Sequence, residues 1–320
     1  MSASKVNKYF VTGGAGFIGS HLVDRLINSG QVTVYDDLSS GREEFLQHHL
    51  GKSNFHFIQA DLLDFDTLNK AIANHDVVFH LAANPDVRVG FEDTDLDLRQ
   101  GTLATYNLLE AMKLNQISKI IFASSSTVYG EAGTKAVNED YGPLLPISLY
   151  GASKLACEGL ITAFCHLFNM QAWIFRFANV GGSRDTHGVI FNFSNRLKEN
   201  PKELEILADG TQQKPYLYVS DCVDAILFGW EHSQEQVNVF NLGTDSSTSV
   251  TAIANMIVEA MGLSGVKFSY TGGKRGWPGD VPQVRYDITR MKNLGWRAKY
   301  SSDEAVRQAI KDILSGQSDS

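Results

Sequence analysis

The sequence predicts an α/β fold in which helices cover both faces of a parallel sheet, and three stretches carry this prediction. The apolar run at residues 9–11 breaks into a glycine-rich turn, and a helical pattern follows at residues 20–27. A second apolar run, at residues 119–123, leads into a cluster of hydroxyl side chains. At residues 150–154 a tyrosine and a lysine stand four positions apart where a helix begins. A strand, a glycine turn and a helix in this order are typical of a doubly wound sheet that binds ligands at the carboxyl ends of its strands.

The remaining elements follow from the period of the apolar residues. Short apolar runs bounded by turn residues predict strands, and apolar residues spaced three and four apart predict helices. The further strands are predicted at residues 54–59, 76–83, 171–177, 204–207 and 237–242. The further helices are predicted at residues 64–74, 91–113, 149–168, 191–199, 221–230 and 250–261. The polar ends, residues 2–7 and 315–320, are expected to be frayed or disordered.

The composition is that of an ordinary soluble globular protein of one or two domains. Of 320 residues, 43% are hydrophobic and 20% are charged. The net charge of −8 argues against broad binding to nucleic acid or to an anionic membrane. The N-terminus lacks the apolar segment of a signal peptide, and no apolar run approaches ~18 residues. We therefore expect a cytoplasmic protein without nucleic-acid or membrane partners.

The cysteines and histidines predict no metal site. Cys157, Cys165 and Cys222 are scattered without a C-x-x-C spacing, which fits a reducing compartment. The nine histidines show no ligand spacing, and the adjacent His48 and His49 are interpreted as a surface pair. We expect no bound metal.

The glycine-rich turn predicts a site for a dinucleotide. Gly13, Gly16 and Gly19 have the spacing G-x-x-G-x-x-G. Glycine permits the tight turn, the approach of a pyrophosphate to the backbone and close packing of helix on strand. Phe17 and Ile18 lie where the free amides of the helix start would face the phosphates.

The end of the next predicted strand favours NAD over NADP. The run at residues 31–35 ends in Asp36. A carboxylate at this point can accept hydrogen bonds from the adenosine ribose, and it would repel a 2′-phosphate. Asp37 follows directly, so the sequence leaves open which carboxylate binds the ribose.

The tyrosine and lysine near the middle of the chain predict acid–base chemistry. Tyr150 and Lys154 are four residues apart and share one face of a helix. A nearby ammonium favours the phenolate and lowers the tyrosine pKa from about 10. Such a phenol can transfer protons near neutral pH. The serines at 124–126 follow a parallel strand of the same sheet, whose carboxyl edge is where ligands bind.

At this point the chain resembles a known family. The G-x-x-G-x-x-G turn, the Ser-Ser-Ser-Thr-Val-Tyr-Gly run at residues 124–130 and the Y-x-x-x-K pattern are similar to those of extended short-chain dehydrogenase/reductases. Within them the chain is most similar to UDP-glucose (UDP-galactose) 4-epimerases, over residues 8 to about 314. The resemblance implies a Rossmann-type doubly wound sheet that binds NAD at residues 1–178. It also implies a smaller C-terminal α/β domain for the nucleotide-sugar at residues 179–320, with a segment near 215–245 returning to the first domain.

The resemblance implies epimerisation at C4 of a UDP-sugar through a transient 4-keto intermediate. Tyr150 would take the proton of the 4-hydroxyl while NAD⁺ takes the hydride of C4. Lys154 would lower the tyrosine pKa and bond the nicotinamide ribose, and Ser125 would share the proton. The sugar would then turn and receive the hydride on its other face.

The same resemblance implies which side chains surround NAD. Small Ala82 and Ala83 would let the dinucleotide pass closely, and Asp61 would lie beside the adenine, unless it caps a helix instead. The expected cofactor-binding residues are Gly13, Gly16, Phe17, Ile18, Gly19, Asp36, Asp37, Ser39, Ser40, Gly41, Asp61, Leu62, Leu81, Ala82, Ala83, Tyr150 and Lys154.

The residues implied for the UDP-sugar include two departures from the family. Lys214 stands where relatives carry arginine, which keeps the charge and loses the bidentate fork. Trp277 stands at the arginine of the family's R-P-G-D pattern, and we expect Arg275 to reach the phosphates instead. The expected substrate-binding residues are Ser125, Ser126, Asn179, Val189, Lys214, Tyr216, Arg275 and Asp280.

Two helices are expected to form a homodimer in the family, at residues 91–113 and 149–168. Packing within one subunit would explain much of the apolar stripe of the first helix equally well. Gly101 stands where many relatives carry asparagine, which predicts a local rearrangement more than a loss of activity.

Single residues bear on the other reactions that related nucleotide-sugar enzymes catalyse. The 4,6-dehydratases carry an Asp-Glu pair after the catalytic hydroxyl, and here Ser126 and Thr127 take those positions, so dehydration is not expected. A decarboxylase, a net reductase and a non-catalytic NAD-sensing scaffold remain alternatives. The sugar also stays open between a hexose, an N-acetylhexosamine and a uronic acid, whose carboxylate Arg88 or Arg184 could meet.

Overall fold

The computed structural model describes residues 6–133 and 136–316. Its strands are β1 (Asn7–Thr12), β2 (Gly30–Asp36), β3 (Phe55–Gln59), β4 (Val77–His80), β5 (Lys119–Ser125), β6 (Gln171–Phe177), β7 (Asn179–Gly181), β8 (Glu203–Ile206), β9 (Gln213–Lys214), β10 (Tyr216–Tyr218), β11 (Val237–Leu242), β12 (Thr248–Ser249) and β13 (Lys267–Tyr270). Its α-helices are α1 (Phe17–Leu26), α2 (Phe65–Ala71), α3 (Ala104–Leu114), α4 (Leu149–Phe168), α5 (Gly188–Glu199), α6 (Val219–His232), α7 (Val250–Ala260), α8 (Thr289–Leu294) and α9 (Ser302–Gly316). Short helical segments lie at Glu43–His49, Val89–Phe91, Leu98–Leu103 and Ser126–Tyr129.

Seven parallel strands form the central sheet, in the order β11-β6-β5-β4-β1-β2-β3. The chain runs outward from β1 to β3 on one side, then restarts with β4 on the other side of β1. The carboxyl ends of β1 and β4 therefore flank the point where the strand order reverses, which is where open α/β sheets bind ligands. The predicted doubly wound parallel sheet is confirmed.

Alternate side chains of the sheet bury two apolar faces. Phe10 and Val78 pack into a cluster with residues of α3 and α4, such as Leu108 and Ile161. The rings of the neighbouring Tyr9 and Phe79 point the other way, and both meet Trp230 of α6 edge-on at 6.1 and 5.5 Å. Because strand side chains alternate between faces, this pattern requires helices on both sides of the sheet.

The chain divides into two compact units whose boundaries differ from those predicted. The first unit contains Met1–Ser125, Leu149–Phe175 and Gly229–Val239, and the second contains Ser126–Ser148, Arg176–Phe228 and Phe240–Ser320. The segment 126–148 belongs to the second unit because Val137 bridges to Tyr286 and the Glu139 carboxylate accepts a hydrogen bond from Asn241 N at 2.8 Å. A segment near 215–245 was predicted to return to the first unit, and the segment that does so is Gly229–Val239. It contains the last turn of α6 and the start of β11, which lies beside β6 in the sheet.

The second unit has its own core under three small sheets. Helices α5, α7 and α9 bury a cluster that includes Phe193, Ile257 and Ile310. The pairs β7–β10 and β8–β13 are parallel, and β9–β12 is antiparallel. The β8–β13 pair positions two loops, the one between Ile206 and Asp209 and the one that follows Tyr270.

Several sequence predictions of elements were wrong in extent. Residues 92–97 precede the helix that was predicted to span 91–113, and regular α-helix begins only at Ala104. Strands β7, β9, β10, β12 and β13 and helices α8 and α9 were not predicted. Helix α9 includes Ser315 and Gly316, so the tail is ordered further than expected, whereas residues 2–5 and 317–320 lie outside the described residues. Helix α4 and strands β6 and β11 have the predicted bounds.

Candidate functional site

The glycine turn after β1 is built from backbone contacts that exclude side chains. Gly13 has a φ of +70°, and a Cβ there would lie 2.5 Å from Ala82 N. A Cβ on Gly19 would lie 2.0 Å from Gly13 O. Gly16 differs, because its Cβ would meet Gly13 O alone, at 3.2 Å. Gly13 and Gly19 therefore close the turn, and Gly16 leaves one side of it open.

The open side of this turn is the start of α1. Gly16 occupies the N-cap position and no side chain caps the helix. The first amides of a helix lack partners within the helix, and they bind anions well. The backbone at Phe17 and Ile18 could therefore hold a pyrophosphate. A dinucleotide fits this turn.

Asp36 at the end of β2 is buried and fixed by backbone amides. Its two oxygens accept hydrogen bonds from Ala15 N and Leu38 N, each at 2.9 Å. Burial raises the pKa of Asp36, and these bonds oppose the rise. A carboxylate oxygen can accept two hydrogen bonds, so each retains room for a ribose hydroxyl. Gly41 lies against this carboxylate, since a Cβ there would be 2.8 Å from Asp36 Oδ1.

The carboxylates of Asp37 and Asp61 stabilise turns through local hydrogen bonds. Asp37 Oδ1 accepts hydrogen bonds from the backbone and hydroxyl of Ser39, at 2.8 and 2.6 Å. Asp61 Oδ1 accepts one from Leu63 N at 2.8 Å, and the cap of α2 is Asp64. The geometry therefore favours Asp36 over Asp37 as the carboxylate that could bind a ribose.

The end of β4 closes on the glycine turn. Leu81 N donates to Thr12 O at 3.0 Å, which holds the two strand ends together. Ala82 follows and faces Gly13. Ala82 and Ala83 have small side chains, so a ligand could pass close to the backbone at this strand end.

Ser125, Tyr150 and Lys154 come together in the first unit. Ser125 ends β5, and its side chain is hydrogen-bonded to that of Tyr150 on the first turn of α4. Lys154 lies one turn further, with its Nζ 5.7 Å from the centre of the Tyr150 ring and 4.8 Å from that of Phe122. The predicted catalytic residues therefore share one site at the carboxyl edge of the sheet.

The ammonium of Lys154 is buried, with its side chain folded against β5. Its Nζ donates a hydrogen bond to Ala123 O at 2.6 Å, and the residue is 5% exposed. Burial lowers the pKa of Lys154 to about 8, although Cys157, Asp97 and Glu158 each oppose the fall.

The pKa of Tyr150 moves in the direction opposite to the prediction. Burial raises it, the charge of Asp97 raises it further, and the hydrogen bond with Ser125 lowers it. The expected lowering by Lys154 is outweighed because the phenol is shielded from water and Nζ lies beside the carbonyl of Ala123. Without further positive charge near it, this tyrosine stays protonated at neutral pH.

Two buried acids beside these residues were missed from the sequence. Glu158, one turn after Lys154, accepts a 2.5 Å hydrogen bond from the Ser124 hydroxyl. Its i+4 spacing on the same helix was a signal that could have identified it. Asp97 is 3% exposed and lies in an acidic stretch that resembles any solvated loop.

Gly101 lies in the segment Leu98–Leu103, which is a π-helix leading into α3. A Cβ at Gly101 would lie 2.2 Å from Ser153 Oγ. That hydroxyl donates to Asp97 O at 2.7 Å and contacts Thr102 Oγ1 at 3.0 Å. Ser153 therefore fills the space that a side chain at 101 would need, and the local rearrangement relative to the family stays a prediction.

In the second unit, several predicted substrate-binding residues are already paired with one another. Lys214 Nζ lies 2.7 Å from Asp280 Oδ1. Arg275 donates to Asp280 O at 3.3 Å, and its guanidinium also forms an ion pair with Glu131. That Arg275 reaches the phosphates stays a prediction, and its partner Glu131 was missed.

The other predicted substrate residues are spread over the second unit. Asn179 pairs with Tyr216 in the β7–β10 register, and their side chains are hydrogen-bonded. Ser126 is hydrogen-bonded to Tyr286. Val189, in the first turn of α5, packs against the core of the unit.

A cavity of about 370 Å³ lies in the second unit. Its lining residues include Glu131, Thr211, Gln212 and Lys274. Among the described residues, Gln212 Oε1 is a buried oxygen that accepts no hydrogen bond. The polar side chains of the lining could therefore contact a polar ligand.

The sequence matches the model of the NAD-dependent epimerase/dehydratase family over residues 9–243. The chain belongs to this family. The UDP-glucose 4-epimerase of Mycolicibacterium smegmatis is 34% identical over 310 residues, which cover 94% of this chain and 96% of that protein.

Solved structures of this family share the whole fold. A UDP-galactose 4-epimerase is 37% identical with a TM-score of 0.85, covering 97% of this chain and 99% of that one. The UDP-glucuronic acid 4-epimerase of Bacillus cereus, in complex with UDP-glucuronic acid and NAD, is 30% identical with a TM-score of 0.87, covering 96% and 99%. The predicted family, Rossmann-type fold and NAD cofactor are confirmed.

Asp24, His48 and His49 form the one group of potential metal ligands found in residues 6–133 and 136–316. Both imidazoles place Nε2 at 2.7 Å from Asp24 Oδ1, and Lys52 Nζ lies 3.0 Å from His49 Nδ1. An ammonium in contact with one imidazole disfavours a cation there. The expectation of no metal stays a prediction.

Proposed function

We propose that this chain is an NAD-dependent 4-epimerase of UDP-sugars. The observation that carries the proposal is the hydrogen-bonded pair of Ser125 and Tyr150 beside the buried Lys154, in the same unit as a glycine turn that fits a dinucleotide. Relatives named UDP-sugar 4-epimerases support the proposal, and the chain covers 96% of one of them and 99% of a solved structure, while other relatives are named UDP-sugar decarboxylases.

The first unit holds NAD and performs the proton transfer. The backbone at Phe17 and Ile18, in the turn built by Gly13, Gly16 and Gly19, would hold the pyrophosphate, Asp36 would bind the adenosine ribose, and Lys154 would hydrogen-bond the nicotinamide ribose. Ser125 and Tyr150 take the proton of the sugar 4-hydroxyl and return it. Bound NAD⁺ would supply hydride-acceptor chemistry at C4, and return of the same hydride would leave the reaction without need of an added oxidant.

The protonation of Tyr150 depends on the charges around it. Burial and Asp97 raise its pKa, so the phenolate must be stabilised by positive charge before it can act as a base. The ammonium of Lys154 and the positive charge of the oxidised cofactor both act in this direction.

The second unit holds the UDP. Lys214 and Arg275 supply the positive charge for the two phosphates, with Asn179 and Tyr216 beside them and Asp280 on the ribose. The cavity lined by Thr211, Gln212 and Lys274 accommodates the nucleotide base. The sugar itself has few fixed partners, which permits the 4-keto intermediate to turn.

The chain is also proposed to be a homodimer through α3 with its preceding π-helix and through α4. Of the apolar residues on the first helix, Leu108, Leu109 and Met112 are buried within the subunit. Others are exposed: Leu98, Leu103, Tyr106 and Leu114, together with Leu149, Leu167 and Phe168 of α4. These exposed side chains form the proposed interface. Sedimentation would test it, with Leu103→Lys expected to give monomers and Leu145→Lys, an exposed residue of the second unit, expected to leave dimers.

A cytoplasmic location is proposed from the cysteines. Cys157, Cys165 and Cys222 are all free and buried. A cytosolic protein has no need of disulfides. Across the described ranges, no helix is both long enough and apolar enough to span a membrane.

The test of the activity is C4 inversion followed by NMR. The purified protein is incubated without added cofactor with UDP-glucose, UDP-N-acetylglucosamine and UDP-glucuronate separately. We expect inversion of at least one, and the fastest identifies the sugar. Tyr150→Phe should lower the rate about 10³-fold, and Tyr300→Phe, a tyrosine of the second unit outside the predicted site residues, should not. Undiminished inversion in Tyr150→Phe, or no inversion when NAD⁺ is supplied, would contradict the proposal, and a decarboxylated product would favour the alternative reaction.

A further inference from the structure

Asp97 is a buried carboxylate with an incomplete set of partners. The nearby Asp93 and Asp95 are exposed and form ion pairs with Arg99. Asp97 instead turns inward and is 3% exposed. Within the described chain its Oδ2 is buried and accepts no hydrogen bond. A buried carboxylate in this state is costly unless a positive charge lies nearby.

The protein fixes this carboxylate in place. Asn84 Nδ2 donates to Asp97 Oδ1 at 3.1 Å, and the same nitrogen donates to Asp86 O at 2.9 Å. Gly90 makes room for the other oxygen, since a Cβ there would lie 2.6 Å from Oδ2. The Ser153 hydroxyl, next to Lys154, donates to the Asp97 carbonyl at 2.7 Å. Asp97 is therefore tied to the helix that carries Tyr150 and Lys154.

The buried cation that interacts electrostatically with Asp97 is Lys154, whose neighbour Ser153 donates to the Asp97 carbonyl. Burial raises the pKa of Asp97 and the ammonium of Lys154 opposes the rise, whereas burial lowers the pKa of Lys154, a fall that Cys157, Asp97 and Glu158 oppose. The other groups near this ammonium are Tyr150, Cys157 and Glu158 on α4 and His80 at the end of β4. Burial lowers the pKa of His80 to about 3, so it is neutral, and Glu158 already accepts a hydrogen bond from Ser124.

We propose that Asp97 is a positioning residue that keeps the buried ammonium of Lys154 charged and so sets the upper pH limit of the reaction. The claim about the upper pH limit rests on the proposed epimerase function. The claim that Asp97 keeps Lys154 charged is independent of it. Since the pKa of Lys154 lies at about 8, a modest loss of nearby negative charge would bring it into the neutral range.

The test is an NMR titration of Lys154 in protein labelled with ¹³C at lysine Cε. The signal is assigned by its loss in Lys154→Met. In Asp97→Asn the titration midpoint should fall by about one pH unit, because removal of a negative charge at this range destabilises the ammonium by that order. Asp95→Asn, which removes an exposed carboxylate of the same stretch, should leave the midpoint in place. Asp97→Ser removes the charge with a smaller side chain and should give the same shift if the asparagine variant does not fold.

Activity then separates the two parts of the proposal. The alkaline limb of the pH profile of kcat/KM should move to lower pH by about the same one unit. An unchanged Lys154 midpoint would overturn the proposal, as would a fall in kcat at every pH with the limb unmoved, which is the signature of a purely structural role. A shifted midpoint in a protein that inverts no UDP-sugar would leave Asp97 assigned and refute the proposed function instead.

Discussion

The two units hold their functional groups by different physical means. In the first unit the groups are positioned by the backbone: Gly13 and Gly19 pack against other main-chain atoms, and Asp36 is fixed by two amides. In the second unit they are positioned by each other, through the ion pairs Lys214–Asp280 and Arg275–Glu131. A ligand of the first unit meets a preformed surface, whereas a phosphate in the second must compete with carboxylates that the protein itself supplies.

This difference predicts how each unit responds to substitution. At a site built from the backbone, an added side chain should cause a large loss of ligand affinity, because it cannot be accommodated without moving the main chain. In the second unit the Arg275–Glu131 pair is exposed, and changes there should be gradual because such a pair contributes little in water. The variants below test that contrast, from the largest expected effect to the smallest.

The largest loss of NAD affinity is expected for a substitution at Gly13. Gly13→Ala combines a left-handed backbone with a Cβ 2.5 Å from Ala82 N, so both strand ends must shift. We expect NAD affinity to fall at least about 100-fold and the melting temperature to fall as well. A clash of this kind with backbone typically costs several kcal/mol, on the order of 3 kcal/mol.

Gly16→Ala is the matched control for that prediction. Its Cβ would have a single contact at 3.2 Å, so the protein should keep its melting temperature and lose NAD affinity by obstructing the pyrophosphate. Calorimetry with NAD and a thermal melt measure both quantities. If the two variants lost stability equally, the distinction between closing and open glycines would be wrong.

The contrast also explains how much could be predicted from sequence. Backbone-built features leave local signals, so spacing predicted the glycine turn, a carboxylate at Asp36 or Asp37, and the pair Tyr150 and Lys154. The fold followed for the same reason, since strand and helix periods are local. Helix α4 has its predicted bounds because it starts after a loop and carries a continuous apolar pattern.

Features that depend on distant partners left no such signal. Glu131 pairs with Arg275 across 144 positions of sequence, and nothing near either residue indicates it. Asp97 resembles the exposed Asp93 and Asp95, and its inward direction depends on Asn84 and on the room at Gly90. The pKa of Tyr150 was predicted in the wrong direction because spacing reveals the neighbouring charge and not the depth of burial.

A smaller effect is expected at Arg275. Arg275→Ala removes the cation that we place on the phosphates, and UDP affinity should fall about tenfold, the order of one charge-assisted hydrogen bond. Calorimetric titration with UDP measures it. Arg307→Ala removes a surface arginine that is paired with Glu259, and it should leave UDP binding as it was. Unchanged affinity in Arg275→Ala would exclude this residue as the replacement for the arginine absent at 277.

The partner of that arginine gives a prediction of opposite sign. Glu131→Gln keeps the shape of the side chain and removes the charge that holds Arg275. Arg275 then binds phosphate without first leaving a carboxylate, so UDP affinity should rise about threefold, as for one exposed ion pair. Glu259→Gln, which removes the acid of another surface pair, is the control. Weaker UDP binding in Glu131→Gln would show that Glu131 orients Arg275 for the ligand instead of competing with it.

The smallest effect is expected at Lys214, where only the geometry of a charge is changed. Lys214 Nζ donates to Asp280 Oδ1 at 2.7 Å, and a single ammonium must serve both this acid and a phosphate. Lys214→Arg supplies a planar fork that can contact both at once, so UDP should bind about twofold more tightly while the ion pair with Asp280 is retained. Lys267→Arg, at an exposed pair with Glu203, is the control and should have no effect. If Lys214→Arg instead weakened binding, the space around Lys214 would be closed to the larger guanidinium, and this position of the second unit would be shaped as tightly as the glycine turn of the first.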